Sequence, residues 1–123
     1  MSNYVELHSH SNYSFQEGAS FSHEILMRAR DLGYEALALT DHDTTAAFAD
    51  ASAVGAEVRV QVIPALEVSS THHNRDVHVL GYFVDPEASA VVAHCARATK
   101  RRDERMQEMV YRLTASGIEI TFE

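Results

Sequence analysis

The sequence predicts an α/β protein with a mostly parallel sheet and helices packed outside it. Short apolar runs and amphipathic segments follow one another in the order strand, helix, strand, helix, strand, strand. The strand-like runs are almost entirely apolar, which is typical of parallel strands covered on both faces. With 123 residues, 46% of them hydrophobic, the chain has the size and composition of at most one domain.

The first predicted elements are a strand, a helix and a second strand. YVELHSH at residues 4–10 forms the first strand, and residues 20–33 form the helix, because apolar side chains recur there at helical spacing. Ser22 is the expected N-cap of this helix and Gly33 its expected stop. YEALALT at residues 34–40 is the second, buried strand.

A second helix and a third strand are expected next. The helix covers residues 42–58, with Thr44 or Thr45 near its N-cap. VRVQVIPALEVSS at residues 58–70 is the third strand. Pro64 is expected to mark the end of this strand or an edge of the sheet, because proline cannot donate to a ladder.

The remainder of the chain is predicted to be one strand and a long helix. The strand is DVHVLGYFVD at residues 76–85, and the helical stretch runs from Pro86 to a stop at Gly117. The basic run KRRDER at residues 100–105 is most simply a solvated helix face, and a contact with a phosphate chain is the alternative. IEITFE at residues 118–123 is expected to begin a further strand.

The chain is acidic, with a formal net charge of −8. Thirteen of its 18 acidic residues lie in residues 1–96, whereas six of its ten basic residues lie in residues 97–123. An acidic first part excludes a general clamp for duplex nucleic acid, which needs a basic face. It suits a site that collects divalent cations, although a plain solvated acidic surface has the same charge.

The sequence is expected to belong to a cytoplasmic protein. The sequence has no apolar run of about 18 residues and no basic-then-apolar opening, so neither a membrane span nor a signal peptide is predicted. Its single cysteine, Cys95, cannot form an internal disulfide, which fits a reducing compartment. Cys95 is expected to be a small buried hydrophobe in the long helix.

Two histidines lie one residue apart at the end of the first strand. Side chains two apart on a strand share a face, so His8 and His10 are expected to project side by side. Two neutral imidazoles in that arrangement can bind one metal ion. A pair of solvated histidines in a turn is the alternative.

Further histidines and acids follow the other strands. In a parallel sheet the carboxyl ends of the strands form the functional edge, so we expect these side chains to converge there. Imidazole and carboxylate together suit zinc, manganese or iron, and one cysteine rules out tetrathiolate zinc. The candidate set comprises His8, His10, Glu17, Asp41, His42, Asp43, Glu67 and His78.

Each later candidate has a structural alternative. Asp43 or Thr44 could cap the second helix, and His42 could merely pair with its acidic neighbours. His78 could be a buried neutral histidine bonded to the backbone. Glu67 is harder to explain structurally, because a lone carboxylate that closes an apolar strand is costly without compensation. The remaining histidines are not expected to bind metal: His23, His72, His73 and His94.

As a set, these motifs resemble the PHP (polymerase and histidinol phosphatase) domain family. The matching segments are LHSHSNYS, ALALTDHDTTAAFADA, VIPALEVSS and DVHVLGYFVD, and the resemblance extends over nearly the whole chain. The nearest relatives it suggests are stand-alone bacterial phosphoesterases of this family. The opening SNYSFQEGAS is more similar to PHP domains of bacterial DNA polymerase III alpha subunits.

The resemblance implies a distorted (β/α)7 barrel with two to three divalent metal ions. By position, the implied ligands are His8, His10, Glu17, His42, Glu67 and His78. Glu67 would bridge metals and Asp41 would support His42, and both are the expected catalytic residues. The family usually has aspartate where this chain has Glu17.

The resemblance also implies a division of the chain. Residues 1–85 would be part of the barrel, and residues 86–123 the start of a helical insertion. The later histidine and the terminal Asp-x-His motif of the family do not occur before Glu123. We therefore expect the chain to be a truncated piece of a longer protein.

The expected function is that of a metal-dependent phosphoesterase. It would hydrolyse phosphate esters of nucleotides or of oligonucleotide ends by metal-activated water. The expected partner is thus a small-molecule or oligonucleotide phosphate, with neither membrane nor duplex DNA. The alternative is a non-catalytic metal-binding module of the polymerase-associated type, or an inactive truncated fragment.

Overall fold

A computed structural model describes residues 4–121 and shows one mixed sheet with three helices. The sheet has four strands, and their order across the sheet is the same as their order in the chain. In chain order the elements are β1 (Val5–Ser9), α1 (Ser22–Asp31), β2 (Ala36–Leu39), α2 (Phe48–Val58), β3 (Gln61–His72), β4 (Arg75–Tyr82) and α3 (Ser89–Ala115).

Strands β1, β2 and β3 are parallel, and β4 is antiparallel to β3. The prediction of a mostly parallel sheet is therefore confirmed, and the antiparallel strand is the fourth. Only His73 and Asn74 connect β3 to β4, with φ values of 48° and 58°. A two-residue connection permits only a hairpin, because a parallel partner needs a crossover of about a dozen residues or more.

The sheet curls until its two edge strands meet. Tyr82, in β4, donates a hydrogen bond of 2.8 Å from its hydroxyl to the carbonyl oxygen of Leu7, in β1. Small side chains on one face of the central strands, Ala36, Ala38 and Ala65, are buried there and leave room for this curvature. The curl brings side chains of β1 and β4 to the same face.

The opposite face of the sheet is covered by α1 and α2. Leu37 and Leu39 of β2 pack there against α1 and α2, following the alternation of side chains along a strand. The largest fully buried side chain in this layer is Leu26, on α1. All four residues of β2 are buried, as its apolar sequence predicts.

Pro64 lies inside β3, where it pairs with Leu39, so the prediction of a strand end or edge is wrong. Its carbonyl oxygen accepts a hydrogen bond of 3.3 Å from the N–H of Val84, just past the end of β4. The nitrogen of a strand residue points to the same side as its carbonyl. The missing N–H of Pro64 therefore faces the point where the ladder with β4 stops.

Two helix starts differ from the sequence prediction. Ser22 is the first residue of α1, and Phe21 holds the N-cap position, where its N–H donates to Glu24 Oε2 at 2.8 Å. Helix α2 begins at Phe48, because His42 forms a β-bridge with Glu67 and residues 43–47 form an irregular segment. The predicted stop at Gly33 is confirmed, with φ of 75°.

Helix α3 has 27 residues, and none of them is buried. Cys95 is half-buried rather than fully buried. Gly117, with φ of 90°, follows the helix as predicted. Residues 118–121 form no strand, contrary to the prediction, and residues 122–123 lie outside the described range. The division at residue 85 stays a prediction.

Across residues 4–121, no helix combines the length and the apolar character needed to span a membrane.

Candidate metal centre

Glu67 is the centre of a cluster of imidazoles. Its side chain is buried in β3, and Oε2 lies 2.8 Å from His10 Nε2 and 3.4 Å from His8 Nε2. Oε1 lies 2.8 Å from His78 Nδ1, and His42 Nε2 is 3.6 Å from Oε2. Four histidines thus surround a single carboxylate: two lie within β1 and β4, and two lie just beyond the ends of β1 and β2.

A second carboxylate, that of Glu17, reaches the cluster from the solvent side. Its Oε2 lies 2.6 Å from His42 Nε2 and 3.1 Å from His10 Nδ1. The turn that carries it passes close to the backbone that follows β1, where a Cβ on Gly18 would overlap the carbonyl oxygen of Ser11. Glu17 therefore reaches two histidines despite replacing the aspartate usual at this position.

The four imidazoles form a continuous row. Ring centroids are separated by 5.1 Å between His8 and His10, 4.9 Å between His10 and His42, and 4.9 Å between His42 and His78. Imidazole rings at these separations can bind the same metal ion. His8 and His10 do face the same side, as their spacing predicts, although His10 lies just beyond the end of β1.

The backbone fixes the positions of His42 and Glu67. The N–H of Glu67 donates to the carbonyl oxygen of Asp41 at 3.0 Å, and the N–H of Asp43 donates to the carbonyl oxygen of Glu67 at 2.8 Å. These two bonds form a parallel bridge between His42 and Glu67 beyond the end of β2. The carboxyl end of β2 therefore presents His42 beside β3.

Asp41 organises the turn over the cluster. It is 2% exposed, and its carboxylate accepts hydrogen bonds from the N–H of Ser11 at 2.7 Å and the hydroxyls of Ser11 at 2.6 Å and Ser14 at 2.7 Å. Ser14 Oγ also accepts the N–H of His42 at 3.1 Å. Asp41 contacts the framework of the site rather than the imidazole row.

Asp43 connects the site to α3. Its Oδ1 accepts the N–H of Ser69 and a hydrogen bond from His94 Nε2, both at 2.8 Å. Its Oδ2 accepts Arg102 Nη2 at 3.1 Å, and the same Nη2 donates to the carbonyl oxygen of His42 at 2.8 Å. The carboxylate of Asp43 is thus not a helix cap, and helix α2 starts five residues later.

The electrostatics keep the carboxylates ionised. The hydrogen bond with His42 lowers the pKa of Glu17. Burial raises the pKa of Glu67, but hydrogen bonds with His10 and His8 and the charge of His42 lower it by more. The pKa of Glu67 is therefore lowered on balance. Burial likewise raises the pKa of Asp43, and hydrogen bonds from Ser69 and His94 lower it more.

These side chains fit a metal site. Within each of three overlapping groups, one nitrogen or oxygen atom per residue lies within 4.8 Å of the others. Each group combines imidazole with carboxylate, the donor set that suits zinc, manganese and iron. The groups are His8–His10–Glu67, His10–Glu17–His42 and His42–Glu67–His78.

The structure therefore brings together all six side chains expected as ligands. Asp41 and Asp43 lie beside the cluster and face other partners. Glu67 and His78 project from the middle of β3 and β4 rather than from strand ends as expected, and His78 lies opposite Ser69. Four residues were missed or set aside as structural: Ser11, Ser14, His94 and Arg102.

The signals for these four residues differ. Ser11 and Ser14 lie within the first motif, so their proximity could have been suggested by the sequence. The solvated-face interpretation of residues 100–105 is wrong for Arg102, which bonds to Asp43. No local pattern indicates that His94 and Arg102 meet Asp43 some 50 to 60 positions earlier in the chain.

The family model of the PHP domain matches residues 6–119. The chain belongs to the PHP domain family. Its fold is accordingly part of the PHP-type barrel, with mostly parallel strands, as the sequence predicts.

Two relatives of known name illustrate this kinship. Phosphoribosyl 1,2-cyclic phosphate 1,2-diphosphodiesterase of Eggerthella lenta is 36% identical over 96% of this chain and 45% of its own length. The 3′,5′-nucleoside bisphosphate phosphatase of Chromobacterium violaceum is 35% identical over 93% of this chain and 39% of its own.

A solved structure shares the fold. It belongs to a Bifidobacterium adolescentis protein proposed to be a metal-dependent phosphoesterase, with a TM-score of 0.82 and 27% identity over 96% of this chain and 40% of that one. This chain spans less than half the length of each of these three relatives.

Proposed function

We propose that this chain provides the metal-binding face of a PHP-type phosphoesterase that hydrolyses phosphate esters of nucleotides or oligonucleotide ends. The observation that carries the proposal is the arrangement of four imidazoles around the two oxygens of Glu67. Imidazoles in their neutral form can hydrogen-bond to this buried carboxylate but carry no countercharge, and divalent cations would supply one.

The proposed ligands are the six side chains of the cluster, and they would bind two to three ions of manganese, zinc or iron. When bound, such ions lower the pKa of water and neutralise charge on phosphoryl oxygens. Glu67, whose two oxygens face different histidines, would be a ligand shared by the ions. The ligand residues are His8, His10, Glu17, His42, Glu67 and His78.

Asp41 acts by positioning other residues. Its three hydrogen bonds fix Ser11 and Ser14, and Ser14 fixes the N–H of His42. The backbone of the proposed ligand His42 is thereby fixed by Ser14. We propose this supporting role in place of direct contact between Asp41 and substrate.

The names of the relatives support a phosphate ester as substrate. Two of them act on a ribose cyclic phosphate and on a nucleoside bisphosphate. We propose a cytoplasmic location, because the only cysteine, Cys95, is free.

Metal affinity provides the first test. Titration calorimetry with Mn²⁺ and Zn²⁺ is expected to show binding that Glu67→Gln weakens at least tenfold. Glu57→Gln, an exposed carboxylate on α2, is the matched control and should bind as the parent does. Equal binding by the parent and Glu67→Gln would rule out Glu67 as a ligand.

Activity provides the second test. The full-length gene product should release phosphate from nucleotides or p-nitrophenyl phosphate in the presence of Mn²⁺. Tight metal binding without turnover would support the alternative, a non-catalytic metal-binding module. Absence of turnover with every divalent ion tested would overturn the phosphoesterase proposal.

A further inference from the structure

An open groove borders the imidazole row. Residues 13–17 form one wall, and a face of α3 forms the other through Arg102, Arg105, Met106 and Met109. The groove has a volume of about 580 Å³, and Glu17 and His42 lie at its inner end. We call it the α3 groove. Its volume lies within the range of small-molecule sites, roughly 300–1,000 Å³.

The α3 groove offers an unneutralised cation in an acidic chain. Arg105 makes no hydrogen bond or ion pair with any residue between 4 and 121. The two glutamates next to it on the helix are occupied, because Glu104 pairs with Lys100 at 3.8 Å and Glu108 pairs with Arg112 at 2.7 Å. The Arg105 guanidinium is therefore free to bind an anion from solution.

Arg102, at the inner end, has a different role. Its Nη2 is used by Asp43 and by the carbonyl oxygen of His42. Those contacts fix the wall of the α3 groove next to the metal cluster. Arg105, one turn further along α3, is the cation that remains for a ligand.

The opposite wall presents aromatic rings to solvent. Phe15 is 86% exposed and Tyr13 is 49% exposed, so much of the apolar surface of both rings is in contact with solvent. Met106 and Met109 face them across the groove. An exposed ring beside a polarisable thioether surface is a suitable platform for a planar ligand group.

We propose that the α3 groove binds the part of the substrate beyond the scissile phosphate. A planar ring stacks on Phe15, and a second anionic group binds Arg105. The inference rests on the proposed function, because the scissile phosphate must occupy the adjoining metal cluster. It assigns substrate selection to Phe15 and Arg105, neither of which belongs to the ligand set.

The test compares three probes in Mn²⁺ at 4 °C: inorganic phosphate, AMP and adenosine 3′,5′-bisphosphate. Dissociation constants are measured by calorimetry on the whole chain, and phosphate release is checked after each titration. AMP is expected to bind tighter than phosphate because of its ring. The bisphosphate is expected to bind tighter than AMP because of its second anionic group.

Two variants separate the two contacts. Arg105→Ala should weaken the bisphosphate about tenfold and leave AMP and phosphate within twofold, since one charge-assisted contact is worth roughly that factor. Phe15→Ala should weaken AMP and the bisphosphate about tenfold each and leave phosphate unchanged. The matched controls are Arg112→Ala and Tyr111→Ala, which lie on α3 outside the groove.

The outcomes distinguish this inference from the proposed function. Mn²⁺-dependent phosphate binding with no preference for AMP or the bisphosphate overturns the groove alone. Equal weakening by Arg105→Ala and Arg112→Ala also overturns it, because general electrostatics would then be the cause. Absence of Mn²⁺ binding and of phosphate binding overturns both proposals.

Discussion

Arg102 Nη2 lies 3.1 Å from Asp43 Oδ2, and this ion pair attaches α3 to the segment that carries His42. The attachment is polar, because α3 has no buried residue. A helix held mainly by polar contacts depends on each of them more than a helix with a buried apolar stripe. The position of α3, and with it the outer wall of the groove, therefore depends on a small number of side chains.

Replacing Arg102 tests this dependence. Arg102→Ala is expected to lower the free energy of unfolding by about 1 kcal/mol, because the pair is half-exposed and solvent screening reduces its worth. Amide exchange in α3 should accelerate at the same time. Urea denaturation and hydrogen exchange measure the two effects.

The control for Arg102 is another arginine on the same helix. Arg112 pairs with Glu108 at 2.7 Å on the solvent side. Arg112→Ala should change stability by less than about 0.5 kcal/mol. If both variants lose the same amount, the Asp43 contact contributes nothing specific.

The pKa of Asp43 predicts a pH dependence of stability. Burial raises this pKa, but the hydrogen bonds from Ser69 and His94 lower it more, so the folded value lies below the unfolded value of about 3.9. The charged form therefore stabilises the fold above about pH 4, and this contribution is lost as the pH falls through the folded pKa.

Comparison with Asp43→Asn isolates this contribution. Between about pH 5 and pH 3, the window around the unfolded pKa, the free energy of unfolding should fall more steeply for the parent than for Asp43→Asn. Urea denaturation at each pH gives the two curves. Parallel curves would mean that Asp43 titrates alike in both states.

The first three strands could be predicted from the sequence because local patterns specify them. An all-apolar run such as ALAL requires burial on both faces, and β2 has it. The direction of β4 depends instead on the hairpin at His73 and Asn74, which lacks the glycine that usually signals such a turn. Pro64 was misplaced for a related reason, since its tolerance depends on where the neighbouring ladder stops.

The candidate site was predictable to the extent that residue type and strand position determine it. His8, His10 and His42 lie at or near strand ends, and the parallel arrangement of β1, β2 and β3 brings them to Glu67, in the middle of β3. The partners of Asp43 were not predictable, because a bond from α3 to a distant loop leaves no periodic signal in the sequence. The role of the six side chains as ligands stays a prediction.

Removing the hydroxyl of Ser14 should disturb the positions of Asp41 and His42. Ser14→Ala deletes a donor to Asp41 at 2.7 Å and an acceptor for the N–H of His42 at 3.1 Å. We expect a stability loss of about 2 kcal/mol, because buried partners are left unpaired. Affinity for Mn²⁺ should fall about tenfold or more, as for other groups that orient a ligand.

Thermal denaturation and calorimetry measure the two effects of Ser14→Ala. Ser52→Ala, at an exposed position of α2, serves as the control and should match the parent in both. Lost stability with unchanged metal affinity would show that Ser14 supports the fold only.

Metal binding should stabilise the folded chain. At a free Mn²⁺ concentration of 100 times the dissociation constant, the free energy of unfolding should rise by about 2.7 kcal/mol for one site. A chelator should reverse the gain, and Glu67→Gln should reduce it. A melting temperature that is indifferent to both metal and chelator would contradict a cation site in the cluster.

The bridge between His42 and Glu67 is made by main-chain atoms and therefore does not depend on which side chains occupy the two positions. Donor chemistry can be exchanged there without redrawing the scaffold. A thiolate at position 42, for example, would shift the preference of the pocket toward softer ions while the distance between the two strands is retained. This part of the barrel is thus a natural place to redesign metal selectivity.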